Sequence, residues 1–333
     1  MSKQWTAEEV LDLARLFQPA CVLAAAADLD VFSPLGEKPM TAQALASDLG
    51  TDSRATTILL DALAAMEFLT KQGNDYNVPE DVAELLTEKS ANSVLPMVCH
   101  LANCLRRWAA LAGVTQTGKP AERIPSTRGQ AADQTAFIDA MHNISGQIAD
   151  EVVDKLHPLK FSRLLDIGGA SGTWTMAFLR AVPEAEATLF DLPPVIELAE
   201  KRIAEAGLGD RVSLVPGDFY TDDLPDGADL AWLGAICHQN SREQNRALFT
   251  KIHKALKPDG AVVIRDAVMD SSHTSPLGGA LFAVNMLVNT KEGGTYSFDE
   301  YKQDLSEAGF GKIKLIHQDE FMNSLIRAEK EQR

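Results

Sequence analysis

From residue 160 onward, short apolar runs alternate with amphipathic segments, and no other property of the sequence limits the possible folds as strongly. A strand followed by a helix, repeated several times, is the pattern of a mostly parallel sheet covered by helices. The predicted strands cover residues 163–167, 187–190, 212–215, 229–233, 261–265, 312–317 and 324–328. The predicted helices cover residues 173–182, 194–206, 242–256 and 298–308. The sequence therefore predicts an α/β domain whose mostly parallel sheet ends in an antiparallel closing strand.

The first 90 residues are predicted to form short helices and one small hairpin. After an apolar helix over 8–28, two helices carry polar N-caps: residues 42–49, capped by Thr41 and ended by Gly50, and residues 54–66, capped by Ser53. Two short strands over 68–71 and 76–78 flank a turn-rich break. Helix, turn, helix and hairpin in this order are typical of a winged helix.

A second helical region separates this domain from the α/β domain. Helices are predicted over 93–111 and 131–156, with a loop over 113–128 between them. The sequence thus predicts three parts: a winged-helix-like domain over 1–90, a helical connector over 91–158, and an α/β domain over 159–333.

Charge decides how the winged helix is interpreted. The chain carries 47 Asp and Glu against 31 Lys and Arg, a net charge of −16. Within residues 41–90 there are nine acidic residues and three basic ones. A surface that contacts phosphates needs the opposite balance. We therefore expect a structural or dimerising domain and no nucleic-acid partner, and a ligand-sensing winged-helix regulator is the less favoured alternative.

Cysteine usage and hydropathy bear on the cellular compartment. The four cysteines are widely spaced and form no Cys-x-x-Cys pair, which favours neither a disulfide framework nor a metal site. No apolar run is expected to approach the ~20 residues that span a bilayer. The first residues lack the pattern of a signal peptide. We expect a cytoplasmic protein without a membrane partner.

A glycine turn follows the first strand of the α/β domain. Residues 164–173 read Leu-Leu-Asp-Ile-Gly-Gly-Ala-Ser-Gly-Thr, a strand that leads into the turn and then into a helix. Such a turn lets the backbone approach a ligand closely. The Gly-Gly-x-x-Gly spacing differs from the dinucleotide fingerprint, and no Lys-Ser or Lys-Thr follows as in a phosphate-binding loop.

Acidic residues stand at the ends of three successive strands. Asp166 lies at the end of the first predicted strand, Asp191 and Asp218 come after the next two, and Phe219 comes directly after the third acid. A carboxylate at position 191 can accept both ribose hydroxyls, while Asp218 can meet an adenine amino group and Phe219 can stack on the ring. Each acid alone could be a helix cap or a turn residue. Together they favour a nucleoside without phosphate, which S-adenosylmethionine satisfies and NAD does not.

Four segments resemble one family. Residues 166–172, Phe-Asp-Leu-Pro-Pro-Val-Ile at 190–196, residues 211–219 and Ala-Leu-Lys-Pro-Asp-Gly at 255–260 are similar to the S-adenosylmethionine-dependent small-molecule O-methyltransferases of plants and bacteria. The resemblance implies a Rossmann-like class I methyltransferase domain after a winged-helix-like domain that forms a homodimer. It implies that the cofactor contacts a set of turn and strand-end residues: Asp166, Gly168, Gly169, Gly172, Asp191, Leu192, Gly217, Asp218 and Phe219.

His238 follows the fourth strand, and in the resembling family a histidine there removes the proton from a phenolic hydroxyl. An imidazole that titrates at about 6.5 can accept a proton from a phenol of pKa about 10 as the phenol reacts. Asp266 matches an acid that orients this histidine. The sequence departs from the family at Gln239-Asn240, where Asp-Trp is usual, and at Thr295 and Gly234, where an acid and a lysine are usual.

Two helices supply the predicted acceptor pocket. Met141 and His142 belong to a segment that resembles the family's Phe-x-x-Ala-Met, and Phe282, Met286 and Asn289 share one face of a later helix. Packing of the core or of the dimer is the alternative role for each. We expect methyl transfer to a hydroxyl of an aromatic or polyketide-like small molecule, without a metal. A decarboxylase or hydroxylase that binds the same cofactor is the alternative, and the acceptor and its methylated atom stay open.

Overall fold

The computed structural model describes residues 3–331, which form two compact units. The first unit is the chain up to Ala109 together with Glu122–Asn143, and the second is Ala110–Ala121 together with the chain from Ile144 onward. The residues of the predicted connector, 91–158, are therefore shared between the two units. The three-part division with boundaries at 90 and 158 stays a prediction.

The first unit contains the predicted winged helix. Its elements up to residue 109 are α1 (Ala7–Arg15), α2 (Phe17–Asp28), α3 (Phe32–Glu37), β1 (Met40–Thr41), α4 (Ala42–Leu49), α5 (Ser53–Ala65), β2 (Thr70–Gln72), β3 (Asp75–Asn77), α6 (Glu80–Leu86) and α7 (Leu95–Trp108). The three strands form an antiparallel sheet in the order β1-β3-β2. A core that includes Phe32, Leu45, Leu60 and Tyr76 lies between the helices and this sheet.

The helix ends of this unit follow local hydrogen bonding. The Thr41 side chain accepts a hydrogen bond from the backbone N–H of Ala44, and Gly50 ends α4 in the left-handed region, as predicted. The prediction that Ser53 caps α5 is wrong. Asp52 is the cap, because its carboxylate accepts the N–H of Ala55 at 2.8 Å and its charge suits the positive end of the helix dipole.

Helix α1 buries none of its residues within the described part of the chain. Its apolar side chains and those at the start of α2 are exposed: Val10, Leu11, Leu13, Leu16 and Phe17. Residues 7–28 are long and apolar enough to cross a membrane by length and composition, so the expectation that no apolar run approaches spanning length is wrong. Core helices of water-soluble proteins pass the same test, and only 11% of the apolar window is buried in this structure.

The second unit is built on the alternating segments. Its elements, with α9 divided between the units, are α8 (Leu111–Thr117), α9 (Gln130–Asp154), β4 (Arg163–Ile167), α10 (Thr173–Ala181), β5 (Glu186–Asp191), α11 (Pro193–Glu205), β6 (Val212–Pro216), β7 (Ala228–Gly234), α12 (Arg242–Ala255), β8 (Leu256–Asp266), β9 (Val268–Met269), α13 (Leu277–Asn289), β10 (Tyr296–Ser297), α14 (Phe298–Glu307), β11 (Phe310–His317) and β12 (Ser324–Lys330). Two 3₁₀ turns, at Gly209–Arg211 and Cys237–Gln239, join them.

Seven strands form the central sheet in the order β11-β12-β8-β7-β4-β5-β6. Strands β4 to β8 are parallel, and β12 runs antiparallel to both β8 and β11. One face packs on α12 and α14 through Phe249, Ile252 and Leu305, and the other packs on α9 and α10 through Val153 and Phe178. The predicted α/β class with a Rossmann-like, mostly parallel sheet and an antiparallel closing strand is confirmed.

Two local predictions in this region are wrong. Residues 111–117 form α8, although a loop was expected from residue 113, and the helix ends where Gly118 adopts the left-handed conformation. Strand β8 begins at Leu256, directly after α12, so residues 258–260 do not separate helix from strand. Leu256 pairs with Ala228, and Asp259 at φ +63° marks an irregularity that lets the same strand continue to Asp266.

Candidate active site

The predicted site residues converge at one edge of the sheet. Strands β8, β7, β4, β5 and β6 are parallel neighbours, so their carboxyl ends lie side by side. Each of these ends carries a residue singled out from the sequence: Asp266, His238, Asp166, Asp191 and Asp218. The topology thus brings together residues that are far apart in the chain.

The glycine turn between β4 and α10 is shaped by close packing. Gly168 and Gly172 have φ of +68° and +78°, a conformation that side chains disfavour. A Cβ on Gly168 would lie 2.7 Å from Ile236 Cδ1, and one on Gly169 would lie 2.6 Å from Leu189 Cγ. The turn therefore has no room for larger residues, and its bare backbone forms a cradle at the N-terminus of α10.

Asp191 is held beside this turn at the end of β5. One carboxylate oxygen accepts the N–H of Ala170 at 2.8 Å, and the other accepts the N–H of Leu192 at 2.7 Å. Burial raises the pKa of the Asp191 carboxyl, and these two hydrogen bonds oppose the rise. The two bonds fix the carboxylate and leave further lone pairs to accept hydroxyl groups.

Asp166 lies deeper than Asp191 and Asp218, with 1% of its surface exposed. The hydroxyl of Thr175 donates to it at 2.6 Å, and a Cβ on Gly169 would lie 3.0 Å from its carboxyl carbon. Burial is the largest cause that raises its pKa, to about 7. Asp166 thus supports the glycine turn from inside the protein, and its predicted contact with a cofactor stays a prediction.

The loop after β6 carries Asp218 and Phe219. Gly217 is required at its start because a Cβ there would lie 2.5 Å from the ring of Phe190. Asp218 accepts the N–H of Tyr220 at 2.8 Å, and the ammonium group of Lys251 donates to the carbonyls of Phe219, Tyr220 and Asp222 at 2.8–3.0 Å. These bonds tie the loop to α12. Residues 217–220 are called the adenine loop below, after the ligand part predicted for them.

His238 and Asp266 form a close pair at the ends of β7 and β8. The His238 Nδ1 lies 2.9 Å from Asp266 Oδ1, and the backbone N–H of His238 donates to Asp266 Oδ2 at 3.1 Å. Ala267 N–H donates to Oδ1 at 2.8 Å. Because a carboxylate only accepts hydrogen bonds, it holds a proton on Nδ1 and leaves the lone pair on Nε2. Asp266 is 1% exposed, so the charge that faces the imidazole is shielded from water.

Phe282 lies against this pair. The ring of Phe282 meets the His238 imidazole edge-on, with 4.9 Å between centroids. On the same helix Met286 is buried, and the side-chain amide of Asn289 donates to the Asn285 carbonyl at 2.7 Å. Phe282 is therefore next to the candidate base. Met141 and His142 lie on the part of α9 that belongs to the first unit, and their role in an acceptor pocket stays a prediction.

The residues that depart from the family pattern are closely packed or hydrogen-bonded in this structure. Thr295 is buried and donates to the Gly279 carbonyl at 3.3 Å, and a Cβ on Gly234 would lie 2.6 Å from Trp232 Nε1. Asn240 is fully buried and accepts a hydrogen bond from the hydroxyl of Tyr220. Tyr220 and Lys251 are not among the residues predicted from the sequence. The only signal for Tyr220 was its place directly after Phe219, and there was none for Lys251.

The residues at the edge fit the cofactor predicted from the sequence. The cradle offers backbone, and the strand ends offer carboxylates at Asp191 and Asp218 with the aromatic ring of Phe219. This set suits hydroxyl and amino groups rather than phosphates. Within residues 3–331, no group of three His, Cys, Asp or Glu side chains is placed to hold a metal ion, and the absence of a metal stays a prediction.

Two domain families match the chain. The O-methyltransferase domain family matches residues 118–311, and the O-methyltransferase dimerisation domain family matches residues 11–89.

Relatives and solved structures match almost the whole length. The tetracenomycin polyketide synthesis 8-O-methyltransferase TcmO of Streptomyces glaucescens is 31% identical over 314 residues, which cover 92% of each chain. The L-tyrosine C(3)-methyltransferase of Streptomyces lavendulae is 31% identical over 301 residues, covering 86% of this chain and 82% of its own. The crystal structure of human N-acetylserotonin methyltransferase in complex with SAM superposes with a TM-score of 0.83 at 25% identity, covering 100% of both chains.

Proposed function

This chain belongs to the S-adenosylmethionine-dependent O-methyltransferases with a dimerisation domain, and on that premise we propose that its acceptor is an aromatic or polyketide-like small molecule with a free hydroxyl group. The observation that carries the proposal is the hydrogen bond between His238 and the buried Asp266 at the sheet edge. An acceptor hydroxyl needs a base, and this pair presents one. The relative named for polyketide synthesis supports the acceptor class.

His238 accepts the hydroxyl proton at Nε2 in this proposal. Asp266 keeps the other ring nitrogen protonated and orients the imidazole, and its buried negative charge stabilises the imidazolium that forms. The ring of Phe282 packs against the imidazole and restricts its rotation. Positioning of the hydroxyl contributes a large part of the rate enhancement, as in other transfers between two bound groups.

S-Adenosylmethionine supplies an electrophilic methyl group on a sulfonium. Asp191 would hold the ribose hydroxyls, while Asp218 and Phe219 would hold the adenine, and the glycine cradle would receive the rest of the cofactor. Gly168, Gly169, Gly172, Gly217, Leu192 and Asp166 complete the proposed set.

Methyl transfer is favoured over the alternatives that the sequence left open. The two relatives described above are named as methyltransferases, which favours transfer of a methyl group over decarboxylation, hydroxylation or a regulatory role. One relative methylates carbon. A base paired with a buried carboxylate serves a hydroxyl, which is the observation that supports oxygen as the methylated atom.

We also propose a cytoplasmic homodimer formed through the N-terminal domain. The match to the dimerisation domain and the exposed apolar side chains of α1 support it. The net charge of −16 supports the absence of nucleic-acid and anionic-membrane partners.

The experiment that tests the catalytic proposal compares binding with turnover. His238→Ala is expected to lower methyl transfer to a panel of hydroxynaphthoates and hydroxyanthraquinones by about 100-fold or more, since general-base catalysis contributes about 10²–10⁴. S-Adenosylhomocysteine affinity, measured by isothermal titration calorimetry, is expected to stay within about twofold. Asp191→Ala is the matched control, expected to weaken that affinity instead. Unchanged turnover in His238→Ala would remove His238 as the base.

A further inference from the structure

Asn240 occupies one of the two positions where the chain departs from the family's Asp-Trp. It is fully buried, and both ends of its side chain are engaged. Its oxygen accepts the hydroxyl of Tyr220 at 2.5 Å, and its amide donates to the Asn245 side chain at 3.0 Å. Such a residue links whatever segments its partners belong to.

Those partners belong to two different parts of the site. Tyr220 is in the adenine loop, where its own N–H donates to Asp218. Asn245, on α12, is 1% exposed and donates to the Cys237 carbonyl at 3.0 Å. Cys237 opens the 3₁₀ turn that carries His238. A continuous chain of hydrogen bonds therefore connects the adenine loop with the 3₁₀ turn that carries His238.

Each end of this path makes further hydrogen bonds. Lys251 holds the backbone of the adenine loop against α12, the helix that also carries Asn245. Asp266 holds the backbone and ring of His238. Burial and the charge of Asp218 raise the pKa of Tyr220, so its hydroxyl remains a donor at neutral pH. The side chains of Tyr220, Asn240 and Asn245 connect the two ends.

We propose that Tyr220 and Asn240 are positioning residues that couple cofactor binding at the adenine loop to the placement of His238. The inference rests on the proposed role of His238 as base. A ligand that orders the adenine loop orders the turn of His238 through the Tyr220 hydroxyl, so the base reaches its working position when the cofactor is bound.

Tyr220→Phe in the full-length protein tests the coupling, because it removes one hydroxyl and keeps the ring. That ring packs on Phe219 with 4.6 Å between the ring centroids. The ring of Tyr220 is half-exposed, so the variant is expected to fold. Tyr296→Phe is the matched control, since the Tyr296 hydroxyl donates to the backbone carbonyl of Asn240 and not to the adenine loop.

The first readout needs no acceptor. The imidazole signals of His238, assigned in NMR spectra by comparison with His238→Gln, are followed while S-adenosylhomocysteine is added. We expect the change in His238 signals seen in the wild type to fall by more than about half in Tyr220→Phe and to persist in Tyr296→Phe. Affinity for S-adenosylhomocysteine is expected to change less than about threefold, since one neutral hydrogen bond is removed.

The second readout is kinetic. We expect kcat of Tyr220→Phe to fall about three- to tenfold with little change in KM for S-adenosylmethionine. A wild-type His238 response in Tyr220→Phe, an equal loss in Tyr296→Phe, or no response in the wild type would overturn the coupling. Failure of the proposed function would instead show as absent methyl transfer to every hydroxyl acceptor, whatever the NMR response.

Discussion

At the scale of single residues, Asp166 is the most perturbed carboxyl group of the site. Burial, assisted by the nearby charge of Asp191, raises its pKa to about 7, while the hydrogen bond from Thr175 opposes the rise. An aspartate in an unfolded chain titrates at about 3.9. At a pH between these two pKa values, the folded protein holds a proton on Asp166 that the unfolded chain has released. The stability of the fold therefore depends on pH through Asp166.

We expect the thermal stability of the wild type to fall as the pH is raised from about 5 to about 7.5, and to fall less in Asp166→Asn. The proton on Asp166 contributes stability below pH about 4, and that contribution is lost as the pH rises through about 7. At about 1.4 kcal/mol per pKa unit, the free energy of unfolding that depends on this proton is at most a few kcal/mol. Differential scanning calorimetry at several pH values measures it. Equal pH dependence in both proteins would contradict a protonated Asp166.

Some residues of the candidate site could be predicted from the sequence, and others could not. Asp191, Asp218 and His238 were predictable because each follows an apolar strand, and parallel strands end at one edge. The contact between Tyr220 and Asn240 was not predictable, because it joins two loops 20 positions apart and depends on how each loop turns. The depth of Asp166 was not predictable either, since a strand-end acid can face the ligand or the interior.

At the scale of elements, the turn from β4 to α10 requires glycines at positions that have no space for a side chain. Gly169 has an ordinary backbone conformation, so its requirement comes from packing against Leu189 and Asp166 rather than from φ. Any side chain there must push β5 or the buried acid away. A substitution in the turn is therefore tolerated only if the neighbouring strand and helix change with it.

Gly169→Ala is expected to weaken S-adenosylhomocysteine binding about tenfold or more and to destabilise the fold by about 1–3 kcal/mol, because the added methyl overpacks the turn. Calorimetric titration and urea unfolding measure the two effects. Gly146→Ala, on the exposed face of α9 with nothing within 4 Å of its Cβ, is the matched control and is expected to gain up to about 1 kcal/mol. Similar results for both variants would contradict the packing argument.

Elements were predictable where periodicity and caps agree and less so where packing decides. Strand β4 and the end of α4 lie where the sequence places them. The start of β8 does not, because pairing with β7 extends the strand through a segment whose Pro-Asp-Gly is typical of a turn. The short parallel pair β9 and β10 has no sequence signal, since two residues show no period.

At the scale of the whole molecule, surface composition is uneven. The chain is strongly acidic, yet α1 exposes a run of apolar side chains in the region that matches the dimerisation domain. Apolar surface of this kind is stabilised by contact with another surface. A second copy of the chain is the partner that the proposed homodimer supplies.

Light scattering after size exclusion is expected to give twice the 36.1 kDa of one chain. Leu16→Glu, at a side chain 62% exposed, should shift the mass towards that of one chain, because a charge buried in an interface is costly. Leu277→Glu, 72% exposed on α13, is the matched control and should leave the mass unchanged. Co-sedimentation of the wild type with phosphatidylcholine vesicles, lost in Leu16→Glu without a change of mass, would point to a membrane instead.

The register of β12 has a practical consequence. Ser324 lies opposite Asp266, whereas Glu329 lies opposite Ala261, so β12 starts at the edge that carries His238 and runs towards the other edge. At about 3.3 Å per residue the two edges are roughly 17 Å apart. A linker fused beyond β12 would leave from the far edge. Immobilising the enzyme on a solid support through such a linker would keep its reactive edge turned towards the reaction medium.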